Sequence, residues 1–215
     1  NYQSDCSYIS QIKAFKDNVS IKSCLSYTFS VSNSQGASLI KDRPFTAEMT
    51  RSIMLLKEKP YRPRMADYRI GVFFTGREQL GEGAKTTAPV YYANRWDIQP
   101  SDTAAYLRGE KVKPTKQIVF YIDNTFPEKW NPYLREGVTQ WNELFEQIGF
   151  KDVVAAKDFP TDDPEFDPDN IKYSCVRYAP SSIENAMGPS WVDPRSGEIL
   201  NASVHLYHNV IKLIS

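Results

Sequence analysis

The sequence predicts an α+β protein, with an antiparallel β-rich first half followed by a mixed α/β layer that one long helix crosses, about residues 131–149. Three observations predict it. Over residues 19–31, Val19, Ile21, Leu25, Tyr27, Phe29 and Val31 alternate with Ser20, Lys22, Cys24, Ser26, Thr28 and Ser30, with Ser23 as the one lapse. Alternation of period two is the mark of a half-buried strand. Over residues 131–149, Leu134, Val138, Trp141, Leu144, Phe145 and Ile148 recur three and four apart, which draws one apolar stripe on a helix. Just before it, residues 117–123 form the dense apolar run suited to a central strand.

The elements follow in order. Asn33-Ser34-Gln35-Gly36 reads as the turn after the first long strand. Further strands are expected over 49–56, 68–75 and 90–98, punctuated by Pro60, Pro63 and the Gly-bearing segment 76–83. Residues 108–116, charged and carrying Gly109 and Pro114, read as a linker or domain edge. The chain therefore divides into a β-rich domain over 1–114 and an α/β domain over 115–215. In the second, Asn131 can cap the helix, Pro132 suits its first turn, and Gly149 stands where a C-terminal cap belongs. Strands are then expected over 153–156, 173–178 and 198–207, the last launched from a compact hairpin at Asp193-Pro194-Arg195-Ser196-Gly197-Glu198.

Composition excludes several function classes. With 215 residues, 26 basic and 26 acidic side chains give a formal net charge of zero. That removes the electrostatic footprint of a nucleic-acid binder. No run of apolar residues is long enough to span a membrane as a helix. The two histidines, His205 and His208, cannot by themselves supply a three-histidine zinc site. Three apart on a strand, they would also point to opposite faces. No P-loop, Gly-x-Gly-x-x-Gly, Gly-x-Ser-x-Gly or His-Glu-x-x-His occurs, so no residue is assigned as catalytic and none as a metal ligand.

Cys6, Cys24 and Cys175 contain no Cys-x-x-Cys pair. Cys6 and Cys24 could bridge in an oxidising compartment, but buried free thiols are the expectation. The carboxylates Asp158, Asp162, Asp163, Glu165, Asp167 and Asp169 lack the register of a calcium loop and read as a solvated acidic loop. Tyr- and Trp-bearing strands in the first half could present a carbohydrate-binding face, although aromatics at this spacing more often fill a core.

Several blocks in the second half occur in the order found in a family of bacterial zinc-dependent metallopeptidases. They are Ile118-Val119-Phe120-Tyr121-Ile122-Asp123, Pro127-Glu128-Lys129-Trp130, Trp141-Asn142 and Gly149-Phe150 within 137–150, and 192–202 from Val192-Asp193-Pro194-Arg195 to Asn201-Ala202. On these blocks the chain resembles the large extracytoplasmic members with a metzincin-like catalytic domain. The segment 64–74 and Arg95-Trp96 look like the β-rich domain that precedes it there.

The resemblance implies an order of strand, helix, strands and an edge strand, then a zinc-binding His-Glu-x-x-His helix with a glutamate as general base. Residues 115–215 would be the N-terminal part of such a domain, in a chain whose two ends read as cut. The expectations are no cofactor in this chain, zinc in the full-length protein, and inactivity alone. An extracytoplasmic location follows from the same likeness. Partners would be a peptide or protein substrate and the rest of the catalytic domain. Asn201, Ala202, Ser203, Val204, His205 and Leu206 would form the edge strand along which a peptide lies, bound through its backbone. Two other functions fit the residues: a non-catalytic glycan- or peptide-binding β module, and a pro-segment or interaction domain.

Overall fold

A computed structural model describes residues 1–81 and 86–214. The fold is mixed α+β, and it divides into two compact units: Asn1–Leu55 with Asp169–Ile171, and Leu56–Pro168 with Lys172–Ser215. The division falls well before residue 114, so residues 56–114 belong with the second unit.

The first unit is an antiparallel meander of β1 (Tyr2–Ala14), β2 (Asn18–Ser32) and β3 (Ser38–Met54). The alternation over 19–31 sits inside β2. Its register sets Tyr27 between Tyr2 and Phe45, Ile21 against Ile12, and Val19 against Ile53. Cross-strand partners share a face, so apolar side chains collect on one side of the sheet. Tyr27 stacks on Phe45 with ring centroids 5.3 Å apart. The β2–β3 turn is held by Asn33, whose Oδ1 accepts from the Gln35 and Ala37 amides, and by Gly36 at φ +83°.

Three residues from far along the chain complete this unit. Lys13 pairs with Asp169 at 2.8 Å. Buried Asn18 donates through Nδ2 to Asn170 Oδ1 at 2.8 Å and accepts at Oδ1 from the Ile171 amide at 3.4 Å. No disulfide joins the three cysteines: Cys6 is exposed, Cys24 half-buried and Cys175 buried.

The second unit begins with an extended stretch and the hairpin β4 (Phe74–Leu80) and β5 (Thr87–Ala93). The strand expected over 68–75 is instead a turn, with the Ile70 amide donating to the Asp67 carbonyl, and pairing starts only at Phe74. Gly76 lies within β4, while residues 82 and 83 of the expected punctuation lie outside the described residues. Helix α1 (Thr103–Leu107) starts on Asp102, whose carboxylate accepts from the Ala105 amide at 2.9 Å. Segment 108–116 is no free linker. Val112, its single mid-segment apolar residue, is buried against Phe150 and Val153, and it exchanges backbone bonds with Gly149 and Lys151.

The main sheet uses β6 (Ile118–Ile122), β7 (Val154–Asp158), β8 (Ser174–Ala179), β9 (Ala186–Met187), β10 (Ser190–Asp193) and β11 (Glu198–Tyr207). Its order is β10-β11-β8-β6-β7, with β7, β6, β8 and β11 parallel to one another. Both β9 and β10 lie antiparallel to β11.

The expected crossing helix is two pieces, α2 (Asn131–Thr139) and α3 (Asn142–Gln147). Between them the Glu143 and Leu144 amides reach back three residues rather than four, to the carbonyls of Gln140 and Trp141. Asn142 supplies the reason. Its side chain pairs twice with the Val154 backbone, Nδ2 to O and Oδ1 from N, both at 2.8 Å, which pins the helix to the start of β7. Asn131 does not cap: Trp130 holds the N-cap position, and Asn131 is the first residue of α2. Gly149 ends the segment at φ +87°, where a Cβ would meet the Tyr106 ring at 2.9 Å. Leu134 and Val138 pack against Ile122, Phe126 and Val176 of the core.

Asn18→Ala strips a buried side chain of its bonds to Asp17, Asn170 and the Ile171 amide. We expect it to cost about 1–3 kcal/mol, read as accelerated amide exchange across β1–β3 with the β6–β8 amides unchanged.

Candidate functional site

The main sheet ends at β10, whose outer side carries no strand among the described residues. Ser190 lies opposite Ala202 and Trp191 opposite Asn201, and the pairing then shifts so that Val192 meets Ile199. Leu200 is the residue passed over, a bulge that twists the edge. Pro189 O accepts from the Ser203 amide at 2.9 Å. Alternation along an antiparallel strand therefore turns the N–H and C=O of Ser190 outward. Trp191 and Met187 stand exposed beside this edge. The arrangement can add an extended peptide as a further strand.

A charged clasp fixes that edge in place. Asp193 is 1% exposed and accepts from the Arg195 amide at 2.8 Å, from Arg195 Nε at 3.1 Å and from the Arg195 guanidinium NH2 at 2.8 Å. The same NH2 donates to the Lys57 carbonyl at 2.6 Å. Lys57 Nζ in turn reaches Glu198 Oε1 at 2.7 Å and Asp97 at 3.7 Å. Gly197, at φ +76°, passes so close to residue 93 that a Cβ would lie 2.5 Å from the Ala93 carbonyl oxygen. Glycine is the residue that fits there. The backbone continues the clasp: the Arg95 amide donates to Gly197 O, and the Ile199 amide to Arg95 O, both at 2.8 Å.

Electrostatics follow the geometry. The Arg195 side chain holds Asp193 below the usual carboxylate range against the opposing effect of burial. The hydrogen bond that Lys57 donates to Glu198 raises Lys57 above its ordinary value. Glu198 Oε2 and Arg95 Nε are buried and have no protein partner, although the two residues are bridge partners.

The residues expected to form the edge strand, Asn201 to Leu206, lie instead on an interior strand. β11 is paired on both sides, with β8 through Ser203–Tyr207 and with β9 and β10 on the other flank. The reason is the short pair β9–β10, which covers the side that would otherwise be open. Asn201 is buried and donates to the Tyr173 carbonyl at 2.8 Å, and the Ala202 amide donates to Ser174 Oγ. Val204 and Leu206 pack into the core under α2. Ser203 and His205 lie on the other face, 3.0 Å apart from Oγ to Nε2, with Arg177 opposite His205. Burial first, and Arg177 second, hold His205 below the usual imidazole value. Ser203 and His205 are thus bonded to each other inside the sheet.

His208 lies beyond the strand and bonds Tyr178 Oη through Nδ1 at 2.6 Å, stacked on Trp130. The two histidines thus have separate partners, and no group of three or more His, Cys, Asp or Glu among the described residues could hold a metal ion. The acidic loop is anchored rather than simply solvated. Phe166 packs on Phe159, Tyr121 and Tyr173, and Asp158 pairs with Arg135.

Sequence reasoning reached the hairpin but not the clasp. The Asp-x-Arg spacing at 193–195 was a readable signal, since an arginine two residues after a turn aspartate can fold back on it. Lys57, distant in sequence, gave none.

Asp193→Asn removes the carboxylate that Arg195 holds. We expect a loss of about 1–3 kcal/mol at neutral pH, measured by urea unfolding. Because the native carboxyl titrates below the unfolded one, its contribution is complete above about pH 4. It fades as pH falls through the lower native value, so the variant should lack that part of the acid limb.

Residues 1–101 match a protein family described as a domain of unknown function (DUF5117). The match takes in all of β1–β5. No curated protein and no solved structure matches the chain.

Proposed function

We propose that this chain is part of a zinc-dependent, extracytoplasmic metallopeptidase: its β-rich region together with the N-terminal part of a metzincin-like catalytic domain. The observation that carries this reading is the sheet order β10-β11-β8-β6-β7, with four parallel strands, one antiparallel edge, and α2–α3 between β6 and β7. It supports the strand, helix, strands and edge strand that the sequence resemblance implies.

In this reading the substrate strand is β10 rather than β11. A peptide beside Ser190 gains backbone bonds independent of its side chains. The clasp of Asp193, Arg195, Lys57 and Glu198 holds that edge in register. Zinc does not fit the residues described, because His205 and His208 are engaged apart from each other. Its ligands and the general base belong, in this reading, to a further part of the catalytic domain, and no chemical step is assigned to residues of this chain.

The test is a cleavage assay on the longest encoded polypeptide that contains this chain, with an unfolded protein as substrate. We expect cleavage that a zinc chelator abolishes and zinc restores, and none from the 215-residue chain alone with added zinc. Cleavage by the isolated chain, or a full-length protein with neither zinc nor activity, would overturn the reading. In the active protein, Ser190→Pro removes one outward N–H. It should raise KM about tenfold, the worth of one hydrogen bond, with kcat nearly unchanged, whereas Ser190→Ala should leave both alone.

A second reading rests on the first unit. A cavity of about 580 Å³ opens on its apolar face, lined by Tyr2, Tyr8, Tyr27, Ile9, Leu25 and Arg51 among others. Aromatic rings beside one arginine suit a glycan- or peptide-binding module. Calorimetry with oligosaccharides and peptides decides it: binding that Tyr27→Ala abolishes would favour this reading, and no binding would remove it.

A further inference from the structure

The stripe drawn by the sequence over 131–149 is two stripes in the fold. Leu134, Val138 and Phe145 pack inward against the sheet and α1. Tyr133, Trp141, Leu144 and Ile148 face solvent, with 74%, 60%, 53% and 57% of their surface exposed. Gly137 lies in the same row, and a Cβ there would meet nothing within 4 Å. The outward row is therefore Tyr133, Gly137, Trp141, Leu144 and Ile148, spaced four, four, three and four. From Gly137 onward that is the spacing of a heptad seam, whose knobs fit the holes of another helix. At ~1.5 Å per residue the row runs for roughly 22 Å. A glycine within it lets a second backbone approach closely.

One flank of the seam lies inward, because Leu134, Val138 and Phe145 follow it one residue later. The other is the exposed row Glu136, Gln140, Glu143 and Gln147, one residue earlier. Elsewhere on the helices the charges are paired, Glu146 with Lys111 and Arg135 with Asp158. Among the described residues, Glu136 and Glu143 enter no ion pair. An apolar seam beside two unpaired carboxylates calls for an occupant that brings apolar side chains and positive charge together. A second copy of this chain would bring its own acidic row to the contact, where like charges repel.

We propose that the outer face of α2–α3 docks an amphipathic helix of a partner protein, with an apolar heptad seam and lysines or arginines along its flank. Trp141 and Leu144 are the central anchors, Gly137 is the notch that admits the partner backbone, and Glu136 and Glu143 select the basic flank. Contiguous exposed apolar surface rimmed by polar groups is the usual form of such a site. The proposal does not rest on the peptidase reading.

The test titrates the purified chain with two synthetic helix-forming peptides at physiological salt. They share one leucine heptad seam and differ only in flanks of lysine or of glutamate. The lysine peptide should bind about tenfold tighter or more, a difference of ~1.4 kcal/mol. Leu144→Lys should weaken it at least about tenfold, with circular dichroism and melting temperature unchanged. Glu136→Lys with Glu143→Lys should reverse the preference. If Leu144→Lys unfolds, Ile148→Lys at the exposed end of the row reads the same surface. Absence of binding, equal binding of both peptides, or binding that survives a folded seam variant would overturn the proposal. So would a concentration-dependent dimer in sedimentation that the seam variant abolishes, since it would give the face to a second copy.

Discussion

The second unit is organised around one buried carboxylate. Asp193 sits at the turn between β10 and β11, and its oxygens hold the Arg195 amide and guanidinium together. Through Arg195 it also reaches the Lys57 carbonyl, and Lys57 reaches Glu198 at the foot of β11. The polar contacts among these four residues therefore decide where the edge of the sheet lies. In a low-dielectric interior such contacts are strong when complete and costly when broken. Arg195 makes the arrangement affordable, because its planar fork satisfies both oxygens of Asp193 at once. The clasp fixes the hairpin, the hairpin fixes β10, and β10 determines which strand of the sheet meets solvent.

That ordering explains why the sequence alone points to β11 as the edge while the fold puts β10 there. The alternation in 198–207 marks a strand and gives its bounds, which the fold reproduces as β11. Alternation carries no information about neighbours. The pair β9–β10 that flanks β11 is six residues in all, too short for a period to show. Local signals were otherwise reliable where the chain uses its own neighbours: β2, β6, the Asn33–Gly36 turn and the Gly149 terminus were all legible. β1 was not, because the irregularities between Gln3 and Tyr8 and between Ile9 and Gln11 break its period. Features set by distant partners left no local trace either: Lys57 on Glu198, Asn142 on β7, and Val112 under Phe150.

The helix over 131–149 shows the same limit in another form. A single apolar stripe in sequence is compatible with one buried face or with two faces that differ in fate. Helix propensity and capping could not separate them, since only the position of the sheet decides which apolar residues are covered. Asn142 sharpens the difference by drawing the segment onto β7, which leaves Trp141 and Leu144 turned away.

The return of Asp169–Ile171 to the first unit bears on how the molecule is made. Asn18 and Asn170 are separated by 152 residues, and the bond between them is buried. On a ribosome, the β1–β3 meander emerges long before the residues that finish it. Until then Asn18 lacks Asn170 and the Ile171 amide, and Lys13 lacks Asp169. Closing so long a loop costs little more than closing a short one, but it takes time. Nascent chains stalled or cleaved before residue 169 would therefore hold an incomplete first unit, and chaperone dependence should concentrate in that interval of synthesis.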